Sequence, residues 1–370
     1  MRSMTANDDE TWANWQGGLV PELKEKATFK DLVFPGCHDA GAYGSADLVH
    51  TSENKPIPIL LPYFRWLPGI RDLVEGMTRM QETDIRTQLL HGSRYFDLRF
   101  ARPNGLNELH VAHAVAYQSA VAVLEQIQTF LEGHPTEILI LLLRNAYTQN
   151  TDTAEIARLV LSYVKPYVHR NLAQHKTYAS VSEMIAKNER VILVYEGARA
   201  EDDTIRNSDW WWQAEKLFSW TWIVNNGDWK ERTDWMVEHC RRWKSEFGSW
   251  DAARHNDPHT PKKMLIWSHE ISLNGGVAVR NHLRQRWFGR PNPADPSQMT
   301  FRQHAAQYNQ LFRGHFLETS PFIPPDLRDD IGIVHVDFEW EVYRQVMEYT
   351  IKTMAARFLE IRKRSGPVYG

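Results

Sequence analysis

The chain has only two cysteines in 370 residues, Cys37 and Cys240. Two thiols cannot build a disulfide framework, so a reducing compartment suits the sequence. Neither sign of charge is in excess: Lys and Arg number 43 and Asp and Glu 46, a net charge of −3. Without a basic field, nucleic acid is excluded as a class of partner. No run approaches the roughly 18 to 20 apolar residues of a membrane span. Residues 1–15 are polar and acidic and lack the apolar core of a secretory signal. The expectation is a cytoplasmic protein with no transmembrane segment, peripheral at membranes at most. Internal repeats, low-complexity tracts and Pro-, Gly- or Ser-rich linkers are also missing, which leaves a single domain and the expectation of a monomer. No Gly-rich phosphate loop follows the first strand-like run, which argues against a doubly wound nucleotide-binding sheet.

What is present has the balance of a globular protein, 42% hydrophobic and 24% charged. Strand-like runs at 29–34, 94–100, 108–112, 137–143, 190–195, 220–224, 264–269 and 332–338 are nearly continuous in apolar character, as in strands covered on both faces. Helical patterns occupy 119–132, 153–165, 181–187, 230–247, 277–287, 299–312 and 342–361. In the first of these, Val123, Leu124, Ile127, Phe130 and Leu131 mark one face. Strands alternating with helices predict an α/β fold, a (β/α)8 barrel, with a doubly wound open sheet as the alternative. Two apolar features stand apart. Pro56, Pro58, Pro62 and Pro68 break the segment 55–70 too often for one helix. It reads as a lid packed inward or as a surface that touches lipid. Several of the fifteen tryptophans crowd into 210–235, for core packing or for an aromatic wall around a ligand mouth.

Barrels carry their chemistry at the C-terminal ends of strands. Here His38 and Asp39 follow the first run, and Asp97 and Arg99 end the second. His113 ends the third, Arg144 and Asn145 the fourth, Tyr195 and Glu196 the fifth, and Asp337 the eighth. Imidazoles, carboxylates and a guanidinium on one rim suit general acid–base chemistry on a phosphodiester. Cys37 next to His38 would suit a Cys–His pair, but neighbours on an extended chain point oppositely, so Cys37 reads as a small buried side chain. His110 stands as the alternative acid to His113; in an alternating strand it shares a face with Ala112, leaving His113 at the mouth. Surface or capping roles are expected for His91, His134 and His315.

These motifs, taken in order, carry a resemblance. Pro35-Gly36-Cys37-His38-Asp39-Ala40-Gly41, Arg94-Tyr95-Phe96-Asp97-Leu98-Arg99, Leu109-His110-Val111-Ala112-His113, His134-Pro135-Thr136-Glu137 and Arg144-Asn145 resemble the X domain of phosphatidylinositol-specific phospholipase C. The pattern is similar to the stand-alone X-domain phospholipases of eukaryotes and, more distantly, to the small secreted bacterial enzymes. It thins in the second half and returns at Ile333-Val334-His335-Val336-Asp337. The resemblance implies an irregular TIM barrel over 26–365 behind an N-terminal segment, 1–25. It implies a phospholipase C-type phosphodiesterase that cleaves phosphatidylinositol, or a related inositol phospholipid at a membrane surface, to diacylglycerol and a cyclic inositol phosphate. By the same likeness His38 would be the general base and His113 the general acid. Asp39 would support the leaving group, Asp337 would orient His38, and Arg99 would neutralise the phosphate. Asp97, Arg144, Tyr195 and Glu196 would line the substrate site. Calcium-dependent relatives place acidic ligands at the ends of the second and fourth strands. Arg99 and Arg144 stand there instead and would repel the ion, so no metal and no cofactor is expected. A glycerophosphodiester phosphodiesterase, or a retired barrel that binds lipid head groups, is the alternative.

Overall fold

A computed structural model of the chain describes residues 12–50, 66, 69–103, 105–145, 152–171, 178–196, 205, 208–220, 229–248, 263–269, 327, 329–337 and 342–364. The strands are β1 (Phe34–Cys37), β2 (Asp47–His50), β3 (Tyr95–Ala101), β4 (His110–His113), β5 (Val115–Ser119) and β6 (Leu139–Asn145). They continue with β7 (Val191–Glu196), β8 (Trp212–Gln213), β9 (Phe218–Trp220), β10 (Met264–His269) and β11 (Ile331–Val336). The helices are α1 (Pro21–Lys26), α2 (Ile70–Thr78), α3 (Ile85–Leu90), α4 (Ala120–Gly133), α5 (Thr153–Val164), α6 (Val181–Ala186), α7 (Ala214–Leu217), α8 (Trp229–Phe247) and α9 (Tyr343–Arg364).

All the strands belong to one curled sheet, whose parallel part runs β8-β7-β6-β3-β1-β11-β10-β9. The fold is α/β with the sheet wrapped into a barrel. Strand alternation divides the core in two. Tyr95, Ile140, Leu142, Ile192 and Val194 face inward with Ile266 and Ile333. Phe96, Leu98, Leu141, Leu143 and Leu193 face outward against α4 and α5, whose stripe from Val123 to Leu131 is buried there. Both faces of the central strands are thus covered, which is why their sequences run apolar without a break.

Three expectations need correction. The run 29–34 is not a strand: Thr28 and Asp31 form a capping box around a 3-10 turn at Phe29–Asp31, and pairing begins only at Phe34. The run at 108–112 is not a parallel barrel strand. It is β4, antiparallel to the end of β3 and to β5 in a hairpin, while the short β8 takes a place in the parallel series. The sixth run begins earlier, at Phe218, and its remainder lies outside the described residues. So do the helical patterns at 277–287 and 299–312, His315 and most of the segment 55–70. Within the tryptophan cluster, Trp211 and Trp212 are buried and Trp210, Trp220 and Trp235 pack half-buried on the cores, so these serve packing. Among the described residues no helix is long and apolar enough to cross a membrane.

Candidate active site

The parallel register sets a row of polar side chains across the C-terminal end of the sheet. Arg99 of β3 lies beside Arg144 of β6, and Arg144 beside Glu196 of β7. All three fall on the inward-facing parity of their strands, and so does Asp97, two residues before Arg99. His38 follows β1, with its backbone N–H donating to Val336 O at 2.9 Å on β11. Gln81 ties the same two ends together, donating to His38 O at 2.8 Å and to Val336 O at 3.1 Å.

Adjacent residues on a strand point oppositely, yet His38 and Asp39 both reach the site. The backbone accounts for this: Asp39 has φ 42°, in the left-handed region that Asp tolerates better than most residues, so alternation ends there. Cys37 keeps the strand's alternation. It is buried toward the outer core with Sγ 3.2 Å from Ser93 Oγ, away from the inward-facing polar cluster. Gly41 completes the turn, because a Cβ there would lie 2.3 Å from a methyl carbon of Val111. Only glycine lets the β4–β5 hairpin close over this loop and bring His113 in.

The contacts assign protons. His38 Nδ1 lies 2.7 Å from Asp337 Oδ1, and Arg99 Nη2 lies 2.7 Å from His38 Nε2. A guanidinium can only donate, so Nε2 is the acceptor and His38 is neutral with its proton on Nδ1, donated to Asp337. Arg99 is gripped further by Asp39 Oδ1, 2.6 Å from Nε, and by Asp97 Oδ2, 3.0 Å from Nη2. Arg144 Nη1 lies 3.6 Å from Asp97 Oδ2, and Arg144 Nε pairs with Glu196. Burial works to raise the Asp97 pKa, but Arg144, Arg99 and the nearby histidines outweigh it and hold the carboxyl far below the usual range. Glu196, at the outer end of the row, is pushed up by burial.

On the far side of Asp39, His113 Nε2 lies 3.6 Å from Asp39 Oδ2, the oxygen that is also 3.4 Å from His38 Nε2. His113 Nδ1–H donates to Thr78 O at 2.9 Å, at the end of α2. Burial lowers its pKa, and Asp39 only partly offsets that. His113 thus stands at a hairpin tip, not at the end of a barrel strand, and the next residue, Ala114, has φ 61°. His110 turns elsewhere, with Nδ1 3.2 Å from Tyr117 O and Nε2 3.5 Å from Glu108.

The fold thus gathers His38, Asp39, Asp97, Arg99, His113, Arg144, Glu196 and Asp337 at one end of the barrel. It leaves Tyr195 out. Tyr195 has the opposite parity to Glu196, is buried in the outer core and meets Trp211 edge to face at 6.0 Å, so it is a packing residue. His134 donates from Nδ1 to Phe130 O within the last turn of α4, and His91 stacks on Tyr343 at 4.0 Å. Gln81 and Thr78, which hold the two histidine-bearing segments, carried no signal in the sequence. His335 did carry one: it lies two residues before Asp337, on the same strand face.

His38, Asp39 and Asp97 offer ligand atoms within 4.8 Å of one another, a set that could hold a metal ion. The Arg99 guanidinium lies among those same atoms and is already paired with both carboxylates. A cation there would have to displace a cation, so the donor set fits arginine better than calcium.

No protein-family model matches the chain. Over 217 residues it is 27% identical to human PI-PLC X domain-containing protein 1, covering 56% of this chain and 63% of that protein. A PI-PLC X domain-containing protein of Dictyostelium discoideum is 30% identical over 122 residues, 33% of this chain and 20% of its relative. The matches therefore span less than two thirds of the length of either relative. Among solved structures, phosphatidylinositol-specific phospholipase C from Listeria monocytogenes superposes with a TM-score of 0.54 at 18% identity, covering 92% of this chain and 98% of that one. Likeness at that identity is one of fold. In sequence the chain is similar to the PI-PLC X domain-containing proteins, and in fold to the phosphatidylinositol-specific phospholipase C of Listeria monocytogenes.

Proposed function

We propose that the chain is a phospholipase C-type phosphodiesterase that acts on phosphatidylinositol or a related inositol phospholipid, with no metal. One observation carries the reading: a neutral His38 with its acceptor nitrogen inside the site, and a second imidazole, His113, on the other side of a shared carboxylate oxygen. Phosphodiester transfer by acid–base catalysis needs such a pair.

In this mechanism the substrate phosphate takes up Arg99, whose planar guanidinium offers it two parallel N–H groups. His38 Nε2, relieved of Arg99, accepts the proton of the inositol 2-hydroxyl. That oxygen attacks phosphorus as the bond to the diacylglycerol oxygen breaks. His113, protonated on both nitrogens and anchored at Thr78 O, gives its Nε2 proton to the departing oxygen. Asp39 stabilises the imidazolium until then, and Asp337 stabilises the one that forms on His38. The products are diacylglycerol and a cyclic inositol phosphate. Arg144 and Glu196 extend the site along the rim, where a carboxylate suits a polyol better than a second phosphate. Trp66, 74% exposed, is an amphipathic ring of the kind that settles at a membrane surface, in keeping with peripheral docking.

The test is diacylglycerol release from vesicles containing phosphatidylinositol, in excess chelator. The wild type should turn over. His38→Ala and His113→Ala should each lose about a hundredfold to ten-thousandfold in turnover, and His110→Ala should stay active. No release by the wild type, with or without calcium, would overturn the reading. Activity lost in chelator and restored by calcium would overturn the metal-free mechanism alone.

A further inference from the structure

β11 brings a second side chain to the base besides Asp337. His335 is buried, with its ring 5.1 Å from that of His38 at an interplanar angle of 89°. It is itself fixed from two sides. Ser268 Oγ of β10 lies 3.3 Å from its Nδ1, and the Tyr95 ring of β3 meets it edge to face at 5.2 Å and 82°. Tyr95 in turn meets Phe218 edge to face at 5.8 Å, so the contact rests on an aromatic column descending into the barrel.

Asp337 at Nδ1 and Arg99 at Nε2 anchor the His38 imidazole by hydrogen bonds. Catalysis as proposed above removes the second, because Nε2 must face the hydroxyl and Arg99 must face the phosphate. The Nδ1···Oδ1 hydrogen bond fixes one atom of the ring and does not by itself set the ring plane. A perpendicular ring packed against it restrains that plane, and near-perpendicular edge-to-face contacts are the favoured aromatic geometry.

We propose that His335 is a positioning residue: wedged edge to face against His38, it holds the plane of the catalytic imidazole once Arg99 has turned to the phosphate. The role of His38 as base rests on the phosphodiesterase reading; the restraint on its ring does not. His335→Ala should lower kcat about tenfold, as expected when a reacting group loses its alignment, and leave KM unchanged. His335→Phe, which keeps the ring and loses both nitrogens, should recover most of that loss. Ser268→Ala, which loosens His335 without deleting it, should fall between.

Proton NMR reads the restraint without turnover. The wild type should give a sharp low-field Nδ1–H signal, identified by its loss in His38→Ala. It should broaden in His335→Ala and sharpen again in His335→Phe, with thermal melting confirming that each variant folds. If the signal follows this order in a chain inactive on inositol lipid, the functional reading fails and the restraint stands. An unchanged signal in His335→Ala, no such signal in the wild type, or a His335→Phe as impaired as His335→Ala would overturn the inference. The last result would mean that the imidazole nitrogens matter and the ring does not.

Discussion

Two buried arginines five positions apart at β3 have opposite surroundings. Arg94, at the N-terminal end of the barrel, donates to four backbone carbonyls, those of Leu89, Ser93, Trp12 and Ala13, and pairs with Glu137 at 2.8 Å. Glu137 in turn accepts the backbone N–H groups of Gln16 and Gly17. Arg99, at the C-terminal end, meets the titratable side chains of Asp39, Asp97 and His38. A guanidinium held mainly by carbonyls is a staple, because those carbonyls cannot change charge or move without unfolding the backbone. A guanidinium held by carboxylates and an imidazole can exchange partners when an anion arrives. Burial and charge are alike in the two cases; the kind of partner separates structure from chemistry.

The largest effect that would break this comparison is at the staple. Arg94→Met should cost about 3 to 5 kcal/mol, since it leaves Glu137 buried and uncompensated. Urea unfolding should show the loss, and surviving folded protein should keep its turnover. A stable Arg94→Met with impaired turnover would reverse the assignment of the two arginines. Next comes Arg99→Lys. It should melt close to the wild type but lose roughly a hundredfold in turnover on inositol lipid vesicles, because an ammonium lacks the two-pronged donor face. Retained turnover would reduce Arg99 to a structural partner of Asp97.

The proposed acid–base pair sharpens the contrast through pH. His113 must be protonated to act as the acid, and burial lowers its pKa below the ordinary 6.5. The falling, basic limb of kcat/KM should therefore lie below pH 6.5, and the full profile should be a bell. A flat profile through the histidine range would count against two histidines. The same shift bears on stability. A histidine whose folded pKa is lowered stays neutral while its unfolded form takes up a proton. Its contribution is present above pH 6.5 and is lost as pH falls below it, which acid melts of the wild type and His113→Gln should separate.

The smallest effect concerns the hairpin tip. Ala114 sits at φ 61°, a conformation costing a non-glycine residue of order 1 kcal/mol. Ala114→Gly should stabilise by up to about 1 kcal/mol with turnover unchanged, read as a rise in melting temperature. A fall would show that the hairpin gains more from alanine's stiffness in the unfolded chain than it loses in strain.

Much was legible in the chain itself. The inward parity of Asp97 and Arg99 follows from their spacing of two, and the buried stripe of α4 from its helical spacing. Continuous apolar runs announced strands covered on both faces, and the recurrence of polar residues at their ends announced a rim. These are properties of a few consecutive residues, and backbone geometry converts their period directly into a face. What the chain could not settle by itself depends on distant pairing. Asp337 meets His38 across 299 positions only because β11 lies beside β1 in one register. His113 reaches Asp39 from an antiparallel hairpin, not a barrel strand, because a glycine leaves room and a left-handed residue turns the tip. Tyr195, next to Glu196 in sequence, is lost to the site by strand parity and the packing of Trp211. Arg94 and Arg99 could not be told apart from sequence, since both are arginines in one apolar stretch. Local sequence determined which residues are polar and which way each strand turns them. The tertiary structure decided which of them meet, because burial and strand register are long-range contacts that no short window of sequence contains.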